Sequence, residues 1–285
     1  MIDSVNGNII DAENDHLKVR SRQPFTDIHC HCLPGLDDGP ATMAESLALC
    51  RRLAAEGIAT AVATPHQLGR FEGCNEAARV REAVCSLNEA ITNSSITLKV
   101  VPGGEVRVDE RICELLEAGE ILTLADGGRY ILLELPYQVF IDIEPLLTEL
   151  ASMGIQSVIS HAEKIAALAT QHQVLLRWLE HSAHLQITAS SLVGDFGPEV
   201  QRAAWGFLTS GWATLVATDS HDTNGRRPRM RAAFRRISTT RLGEDIARLV
   251  CIENPSRVIN GQDILPVSLY DQQWTWPSLS GEADR

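Results

Sequence analysis

The sequence predicts a parallel (β/α) barrel of about seven strand–helix units in one large domain. Short β-rich runs alternate with stretches of helical periodicity along the 285 residues. The runs are nearly continuous in Val, Ile, Leu and Ala, as in strands buried on both faces. Polar residues follow six of the seven runs. In a (β/α) barrel all strand ends open on one face, whereas a doubly wound sheet gathers its ligands at one switch point. The polar strand ends therefore favour the barrel.

The predicted elements follow in chain order. Strands are expected at 25–31, 59–66, 97–106, 130–135, 157–163, 185–191 and 214–221. Helical spacing of apolar side chains is present at 41–56, 75–92, 109–118, 142–153, 165–182, 197–210 and 228–248. Strands that alternate with helices of this length are typical of βαβ units. We expect a polar N-terminal extension at 1–24, the barrel domain at 25–265 and a C-terminal tail at 266–285.

Composition excludes several classes of protein. The net charge is −12, and an acidic surface repels nucleic-acid phosphates and anionic lipid, so we expect neither as a partner. No apolar run approaches the roughly 20 residues of a membrane span. The N-terminus lacks the basic and apolar regions of a signal peptide. The seven Cys are scattered and odd in number, which indicates reduced thiols and a cytoplasmic protein.

The first strand ends in the motif DIHCHCLPGLDDG. His29 and His31 are two residues apart on a strand, so both imidazoles share one face and can reach one ion. The intervening Cys pair is C-x-C without a partner motif, which does not match a structural zinc clip. In the loop that follows, we expect one carboxylate of the pair Asp37 and Asp38 to turn into the site.

Each later strand end adds a candidate ligand. His66 ends the second strand, and Glu105 ends the third after Gly103 and Gly104, which allow close approach of the backbone. Glu134 lies in an apolar strand, where an unpaired carboxylate is costly, and a buried salt bridge is the alternative interpretation. The fifth and seventh strands end with His161, Glu163, Lys164, Asp219 and His221.

These residue types indicate a catalytic metal centre. Imidazole and carboxylate ligands without thiolate suit manganese, iron or zinc, and there are too many of them for one ion. Two or three ions that share bridging carboxylates would use them all, and such clusters hydrolyse phosphate esters. The loop after His221 contains Arg226, Arg227 and Arg229. We expect Arg226 and Lys164 to contact phosphate and the other two Arg to lie on the surface.

The ordered motifs DIHCHCLPGLDDG, ATPH, GGEV, LLEL, ISHAEK, ATDSH and ENPSRVINGQ resemble the PHP (polymerase and histidinol phosphatase) superfamily. The resemblance is greatest to bacterial protein-tyrosine phosphatases of capsule and exopolysaccharide loci, and it covers about residues 25 to 265. It implies a distorted seven-stranded (β/α) barrel, similar to a TIM barrel. It also implies a metal-dependent hydrolase whose substrate is a phosphotyrosine protein, typically a tyrosine kinase of polysaccharide synthesis.

The resemblance further implies three divalent ions, usually manganese, with iron, zinc, cobalt or magnesium as other choices. By motif, the first ion would take His29, His31, Glu105 and Asp219, the second Glu105, Glu134 and His161, and the third Asp38, His66 and His221. This chain has Lys164 where relatives often have Arg. Lys is a point charge without the bidentate fork, which leaves the strength of phosphate binding open.

The expected mechanism is direct attack of a metal-bridging hydroxide on phosphorus. Lys164 and Arg226 would stabilise the transition-state charge, and His66 or His221 would give a proton to the leaving group. The alternatives are another PHP phosphoesterase, such as a histidinol-phosphate phosphatase, and a catalytically weak protein that docks a tyrosine kinase. A metal-dependent amidohydrolase is more distant, because those barrels commonly use a carboxylated Lys at a strand end and none is evident here.

Two further features leave alternatives open. The segment CIENPSR, residues 251–257, matches the C-x5-R signature of cysteine-dependent tyrosine phosphatases. Pro255 lacks an N–H that such a phosphate loop needs, so we interpret the match as chance. Trp274 and Trp276 in the tail are candidates for packing on the body or for contact with a second copy in a homo-oligomer.

Overall fold

The computed structural model describes residues 24–137, 139–170 and 172–268, so residues 1–23 and 269–285, including Trp274 and Trp276, lie outside the description. The strands in the described residues are Phe25–Cys30 (β1), Ile58–Ala63 (β2), His66–Gln67 (β3), Lys99–Pro102 (β4), Glu105–Arg107 (β5), Tyr130–Glu134 (β6), Gln156–Ile159 (β7), Ala183–Thr188 (β8) and Ala213–Ala217 (β9).

The helices alternate with these strands. They are Met43–Ala55 (α1), Ala77–Asn93 (α2), Ile112–Glu117 (α3), Glu144–Ser152 (α4), Ala166–Thr170 (α5), His172–Glu180 (α6), Ala189–Val193 (α7), Pro198–Thr209 (α8), Met230–Ser238 (α9), Gly243–Arg248 (α10) and Asn254–Ile259 (α11). Local sequence explains several starts. Thr42 and Glu45 form a capping box at α1, and a proline near the first position begins α4, α8 and α11. Among the described helices, none has the length and apolar character needed to cross a bilayer.

The strands form two parallel sheets, which confirms the predicted mixed α/β class. One sheet has the order β1-β2-β4 and the other the order β3-β5-β6-β7-β8-β9. Among the described strands, the carboxyl end of β9 lies beside that of β1. A parallel bridge joins Cys30 to Ser220, and the Asp219 N–H donates to the His29 carbonyl at 2.9 Å. The carboxyl ends of β1 and β9 are therefore neighbours.

Two predicted strands are interrupted, and the sequence explains each break. The run 59–66 breaks before Pro65, which has no N–H for a sheet ladder. The run 97–106 breaks at Gly103 and Gly104. A Cβ on Gly103 would lie 2.6 Å from Val62 Cγ1, and one on Gly104 would lie 2.1 Å from Gln67 Oε1. These glycines thus permit the close approach that was expected of them.

The predicted helix at 228–248 is also divided. The helical spacing at 228–248 becomes α9 and α10, which are separated by a turn that ends at Gly243. Gly243 has a φ of +75°, a left-handed conformation that a helix interior does not allow. A further helix, α11, begins at Asn254.

The apolar core has two parts. The larger part packs the strands against the helices, with Trp178 and Phe207 among its largest buried side chains. The smaller part contains one or two side chains from each of several strands, together with Leu124 and Val258, which lie outside the strands. Its members are Ile28, Val62, Leu124, Tyr130, Leu132, Val158, Leu215, Ala217 and Val258. Apolar side chains on both faces of the sheets explain the nearly continuous apolar runs.

Asp27 on β1 forms hydrogen bonds with Thr218, the residue that follows β9. Its Oδ1 accepts from the Thr218 N–H at 2.9 Å, and its Oδ2 accepts from the Thr218 hydroxyl at 2.5 Å. Burial raises the pKa of Asp27 to about 6, although the hydrogen bonds from Thr218 favour the charged carboxylate. Asp27 is fully buried, so its loss would leave the Thr218 N–H without an acceptor and would remove the shortest hydrogen bond of the Thr218 hydroxyl.

We expect Asp27→Ala to lower the free energy of unfolding by about 3 kcal/mol, because both hydrogen bonds from Thr218 to this buried carboxylate are lost. Asp27→Asn keeps one acceptor oxygen, and its loss should be about 1 kcal/mol. Urea unfolding in the presence of a chelator measures both. Equal stability of the wild type and Asp27→Ala would show that the contact between β1 and β9 does not depend on this carboxylate.

Candidate metal centre

The structure gathers all of the predicted metal ligands at the carboxyl ends of the strands. His29, His66, Glu105 and Glu134 lie within β1, β3, β5 and β6, and the others lie in the turns that follow β1, β7 and β9. His29 is fully buried, and Glu105 has an exposed fraction of 1 %. We expected one carboxylate of the pair Asp37 and Asp38 to turn into the site. It is Asp38 that faces His66, with Oδ1 3.3 Å from His66 Nε2.

His161 and Asp219 lie in turns and not, as predicted, on strands. β7 ends at Ile159 and β9 at Ala217. His161 has a φ of +33° and Asp219 a φ of +50°, conformations that are costly for side chains with a Cβ. Hydrogen bonds hold both backbones in place. The His161 N–H donates to Gln186 Oε1 at 3.1 Å, and the Asp219 N–H donates to the His29 carbonyl.

Outer hydrogen bonds orient three of the imidazoles. His29 Nδ1 is 2.9 Å from Gln186 Oε1, an oxygen identified by the backbone N–H that it also accepts. His31 Nδ1 is 2.6 Å from Asp37 Oδ2. His221 Nδ1 is 3.1 Å from the Asp219 carbonyl oxygen. Because each partner accepts, Nδ1 carries the hydrogen in the neutral ring, and the Nε2 lone pair points into the site.

The Nε2 lone pairs of His29 and His31 lie close to other hydrogen-bond acceptors. His29 Nε2 and His31 Nε2 are 3.2 Å apart, and Glu105 Oε2 lies 3.3 Å from the first and 3.4 Å from the second. Both Glu105 oxygens, His66 Nδ1 and His221 Nε2 are buried and make no hydrogen bond. Acceptors that converge without donors need a cation between them. The site therefore fits metal ions with mixed nitrogen and oxygen ligands.

The ligand atoms fall into four overlapping groups, in each of which all atoms lie within 4.8 Å of one another. The groups are His31, Asp38, His66 and His221; His29, Glu105 and His161; His29, His31 and Asp219; and His66, Glu105 and Glu134. Glu105 and three of the histidines belong to two groups each. Shared ligands of this kind are what a site for several neighbouring ions requires.

The pKa values of the clustered side chains are shifted because so many hydrogen-bond acceptors lie close together. Burial works to lower the pKa of His31, but Asp37 raises it to about 9. Burial likewise opposes the charge of His66, but Asp38 and Glu105 raise its pKa to about 10. Burial would raise the pKa of Asp219, yet Lys164 and His29 hold it well below its usual range. The site thus attracts positive charge strongly.

Cationic side chains surround the carboxylates. Lys164 Nζ lies 2.6 Å from Asp219 Oδ2, and Arg226 Nη2 lies 2.9 Å from Asp219 Oδ1. Both residues that were predicted to contact phosphate are therefore beside the candidate ligands. Arg229 instead pairs with Asp195 at 2.8 Å. Arg227 is half-buried, as Arg226 and Arg229 are.

Sequence reasoning missed the residues that support or surround the ligands. Asp37 orients His31, and Gln186 contacts both His29 and His161. A polar Gln inside the apolar run LQIT was the available signal for Gln186. A cavity of about 430 Å³ opens above the ligands, and its lining adds Arg70, Phe71, Arg107 and Tyr137. No pattern in the sequence singled out these four.

The C-x5-R segment is separate from this chemistry. Cys251 is fully buried in a π-helical turn, and burial raises the pKa of its thiol. Arg257 Nε donates to the Asp263 carbonyl and so is engaged elsewhere. A nucleophilic cysteine needs an accessible thiolate, so Cys251 is a core residue.

Comparison with known proteins identifies relatives of this chain. A family model described as "Capsular polysaccharide synthesis, CpsB/CapC" matches residues 25–260. The tyrosine-protein phosphatase YwqE of Bacillus subtilis is 35% identical over 202 residues, which cover 70% of this chain and 78% of that protein. The tyrosine-protein phosphatase CpsB of Streptococcus pneumoniae is 28% identical over 243 residues, which cover 83% and 98%.

Solved structures are also similar. A chain from the crystal structures of YwqE from B. subtilis and CpsB from S. pneumoniae, described as unique metal-dependent tyrosine phosphatases, superposes with a TM-score of 0.80 at 32% identity. The match covers 85% of this chain and 96% of that chain. An organophosphorus hydrolase from Deinococcus radiodurans matches with a TM-score of 0.51 at 16% identity, over 82% of this chain and 92% of that one. This last similarity concerns the fold alone.

We expect the affinity for divalent metal to rise steeply with pH between about 6 and about 9. The pKa values of His31 and His66 are raised to about 9 and about 10, so below those values an ion must displace a proton from each ring. Competition with a chromophoric chelator measures the affinity. Asp37→Asn removes the charge that raises the pKa of His31, so its affinity should change less steeply. A pH-independent affinity in the wild type would show that neither imidazole is a ligand.

Proposed function

The chain belongs to the capsular polysaccharide synthesis family CpsB/CapC, and we propose that its cluster of histidines and carboxylates is the active site of a metal-dependent protein-tyrosine phosphatase. One observation carries the proposal. The lone pairs of His29 and His31 converge on a Glu105 carboxylate that makes no hydrogen bond of its own. The curated relatives are tyrosine-protein phosphatases at 27–35% identity.

We infer three divalent ions, with manganese as the native metal. The overlapping ligand groups support more than one ion, because Glu105 and three of the histidines are each shared between two groups. We assign the ions to His29, His31, Glu105 and Asp219; to Glu105, Glu134 and His161; and to Asp38, His66 and His221. Bound there, divalent ions would supply Lewis-acid activation of water and of the phosphoryl oxygens.

The side chains around the ions have separate roles in this proposal. Lys164 and Arg226 bind the phosphoryl oxygens and stabilise the charge that develops in the transition state. Arg226, with a side chain 35% exposed, lines the cavity, so it can reach both Asp219 and an incoming anion. His66 has one ring nitrogen toward Asp38 and the other toward Glu105. The nitrogen that is not a ligand holds a proton for the leaving phenolate oxygen.

We further infer that the two sheets are parts of one distorted seven-stranded (β/α) barrel at residues 25–265. In this interpretation, β2 and β3 are two parts of one strand interrupted at Pro65. Likewise, β4 and β5 are two parts of one strand interrupted at Gly103 and Gly104. The bridge between Cys30 and Ser220 supports closure between β9 and β1. The small apolar cluster that includes Ile28 and Leu215 then fills the barrel interior below the metal centre.

The physiological substrate in this proposal is a phosphorylated tyrosine kinase of polysaccharide synthesis. The family's description as capsular polysaccharide synthesis proteins supports this choice. The cavity of about 430 Å³ supports a side chain presented by a protein, because Arg70 and Tyr137 in its lining are exposed to an approaching partner. Dephosphorylation would make this chain the regulator of that kinase.

We expect metal-stripped protein to be inactive on a phosphotyrosine peptide and Mn²⁺ to restore activity, because water activation requires the ions. Glu105→Ala and Glu134→Ala should remain at least about a hundredfold less active in excess Mn²⁺. Released phosphate is the readout. Cys251→Ser is the control and should keep wild-type activity. Metal-independent hydrolysis, or activity in both glutamate variants, would contradict the proposal.

We expect Arg226→Ala and Lys164→Ala each to reduce kcat/KM for the phosphotyrosine peptide by about 10- to 100-fold, through lost contacts to the phosphoryl group. Lys164→Arg should lower KM, because Arg offers two parallel donors to phosphate. Both residues also contact Asp219, so the metal content of each variant is measured alongside. Arg229→Ala, which breaks a pair with Asp195, is the control and should be neutral. Unchanged kinetics in both alanine variants would remove these residues from phosphate binding.

A further inference from the structure

Two aromatic side chains stand over the metal centre on different sides of Glu105. His66 Nδ1 lies 3.1 Å from Glu105 Oε2, and His161 Nε2 lies 2.9 Å from Glu105 Oε1. Phe71 covers the first imidazole and Tyr137 covers the second. All four rings border the same cavity. The entrance to the site therefore has an aromatic wall on each side.

Phe71 is held in a defined orientation. Its ring stacks on His66 with centroids 5.3 Å apart and planes inclined by 9°. Arg70 places its guanidinium carbon 4.6 Å from the centroid of the same ring. The turn that presents Phe71 packs tightly, since a Cβ on Gly69 would lie 3.2 Å from Arg107 Cγ. Gly69 also has a φ of +59°, so this turn has a specific shape.

Tyr137 forms the second wall. Its ring centroid lies 5.3 Å from that of His161, and its hydroxyl is 3.3 Å from Nδ1 and 3.2 Å from Nε2. An oxygen so nearly equidistant from both nitrogens lies over the imidazole and not in its plane, where it would collide with Cε1. Tyr137 is 46% exposed, so a large part of its surface remains free to cover a ligand.

We propose that Phe71 and Tyr137 bind the aromatic ring of the substrate and so select phosphotyrosine over aliphatic phosphomonoesters; this inference rests on the proposed function. A phosphoryl group that reaches the ligands at the cavity floor places its ester substituent at the level of these two rings. An aryl group there would contact these rings in offset or edge-to-face arrangements, which aromatic pairs favour. The side chain of phosphoserine has no ring to make them.

The test compares two inhibitors that differ only in the ring. Phenylphosphonate and methylphosphonate cannot be hydrolysed, so their inhibition constants report binding without leaving-group chemistry. Against peptide hydrolysis by the Mn²⁺-loaded enzyme, we expect phenylphosphonate to bind about tenfold more tightly. In Phe71→Leu/Tyr137→Leu, that preference should fall below about threefold, while the methylphosphonate constant stays within about twofold of the wild-type value. Leucine retains apolar bulk and removes the ring.

The controls separate this inference from the function on which it rests. Val139→Ala alters a side chain 62% exposed on the same loop as Tyr137 and should keep the full preference. Circular dichroism and metal content verify that the double variant is folded and loaded. A double variant that hydrolyses the peptide and keeps the tenfold preference overturns this inference alone. A wild type that Mn²⁺ does not activate on the peptide overturns the proposed function and this inference together.

Discussion

The site depends on a buried carboxylate, Glu105, which is surrounded by the ring nitrogens of four histidines. Its two oxygens lie within 3.4 Å of ring nitrogens from four histidines on β1, β3 and the turns after β1 and β7. Burying such a charge costs several kcal/mol unless positive charge compensates it. The surrounding structure supplies that compensation through protons on the imidazoles or through metal ions. The pKa values of His31 and His66 are raised because nearby carboxylates favour positive charge on these rings.

The fold brings the histidines and carboxylates close to one another because they lie at or just after the carboxyl ends of neighbouring strands. Parallel strands present their carboxyl ends at one edge, and the contact between β1 and β9 joins the first and last ligands of the chain. Asp27 and Thr218, just below the ligands, stabilise this contact. Further out, Asp37 and Gln186 fix the rings of His31 and His29, so the ligands have little freedom to turn away.

The cations and aromatic rings form an outer layer with a different purpose. Lys164 and Arg226 neutralise Asp219, while Arg70 and Arg107 neutralise Asp38 and Glu134. Once ions bind these carboxylates, the four cationic side chains are available to an anionic substrate. These cationic side chains lie at one opening of a protein whose net charge is −12. The relatives that match the chain are named for hydrolysis of such an anion, phosphotyrosine.

The sequence by itself predicted the alternation of strands and helices, the candidate ligand residues and the exclusion of Cys251 as a nucleophile, because periodicity, spacing and motifs are local properties. His29 and His31 were paired by their position on one strand face. The tertiary structure decided what depends on distant contacts. The left-handed turns at His161 and Asp219 and the approach of Gln186, Arg107 and Tyr137 have no local signal. Their positions are set by strands and loops that are remote in the chain, and only packing brings those together.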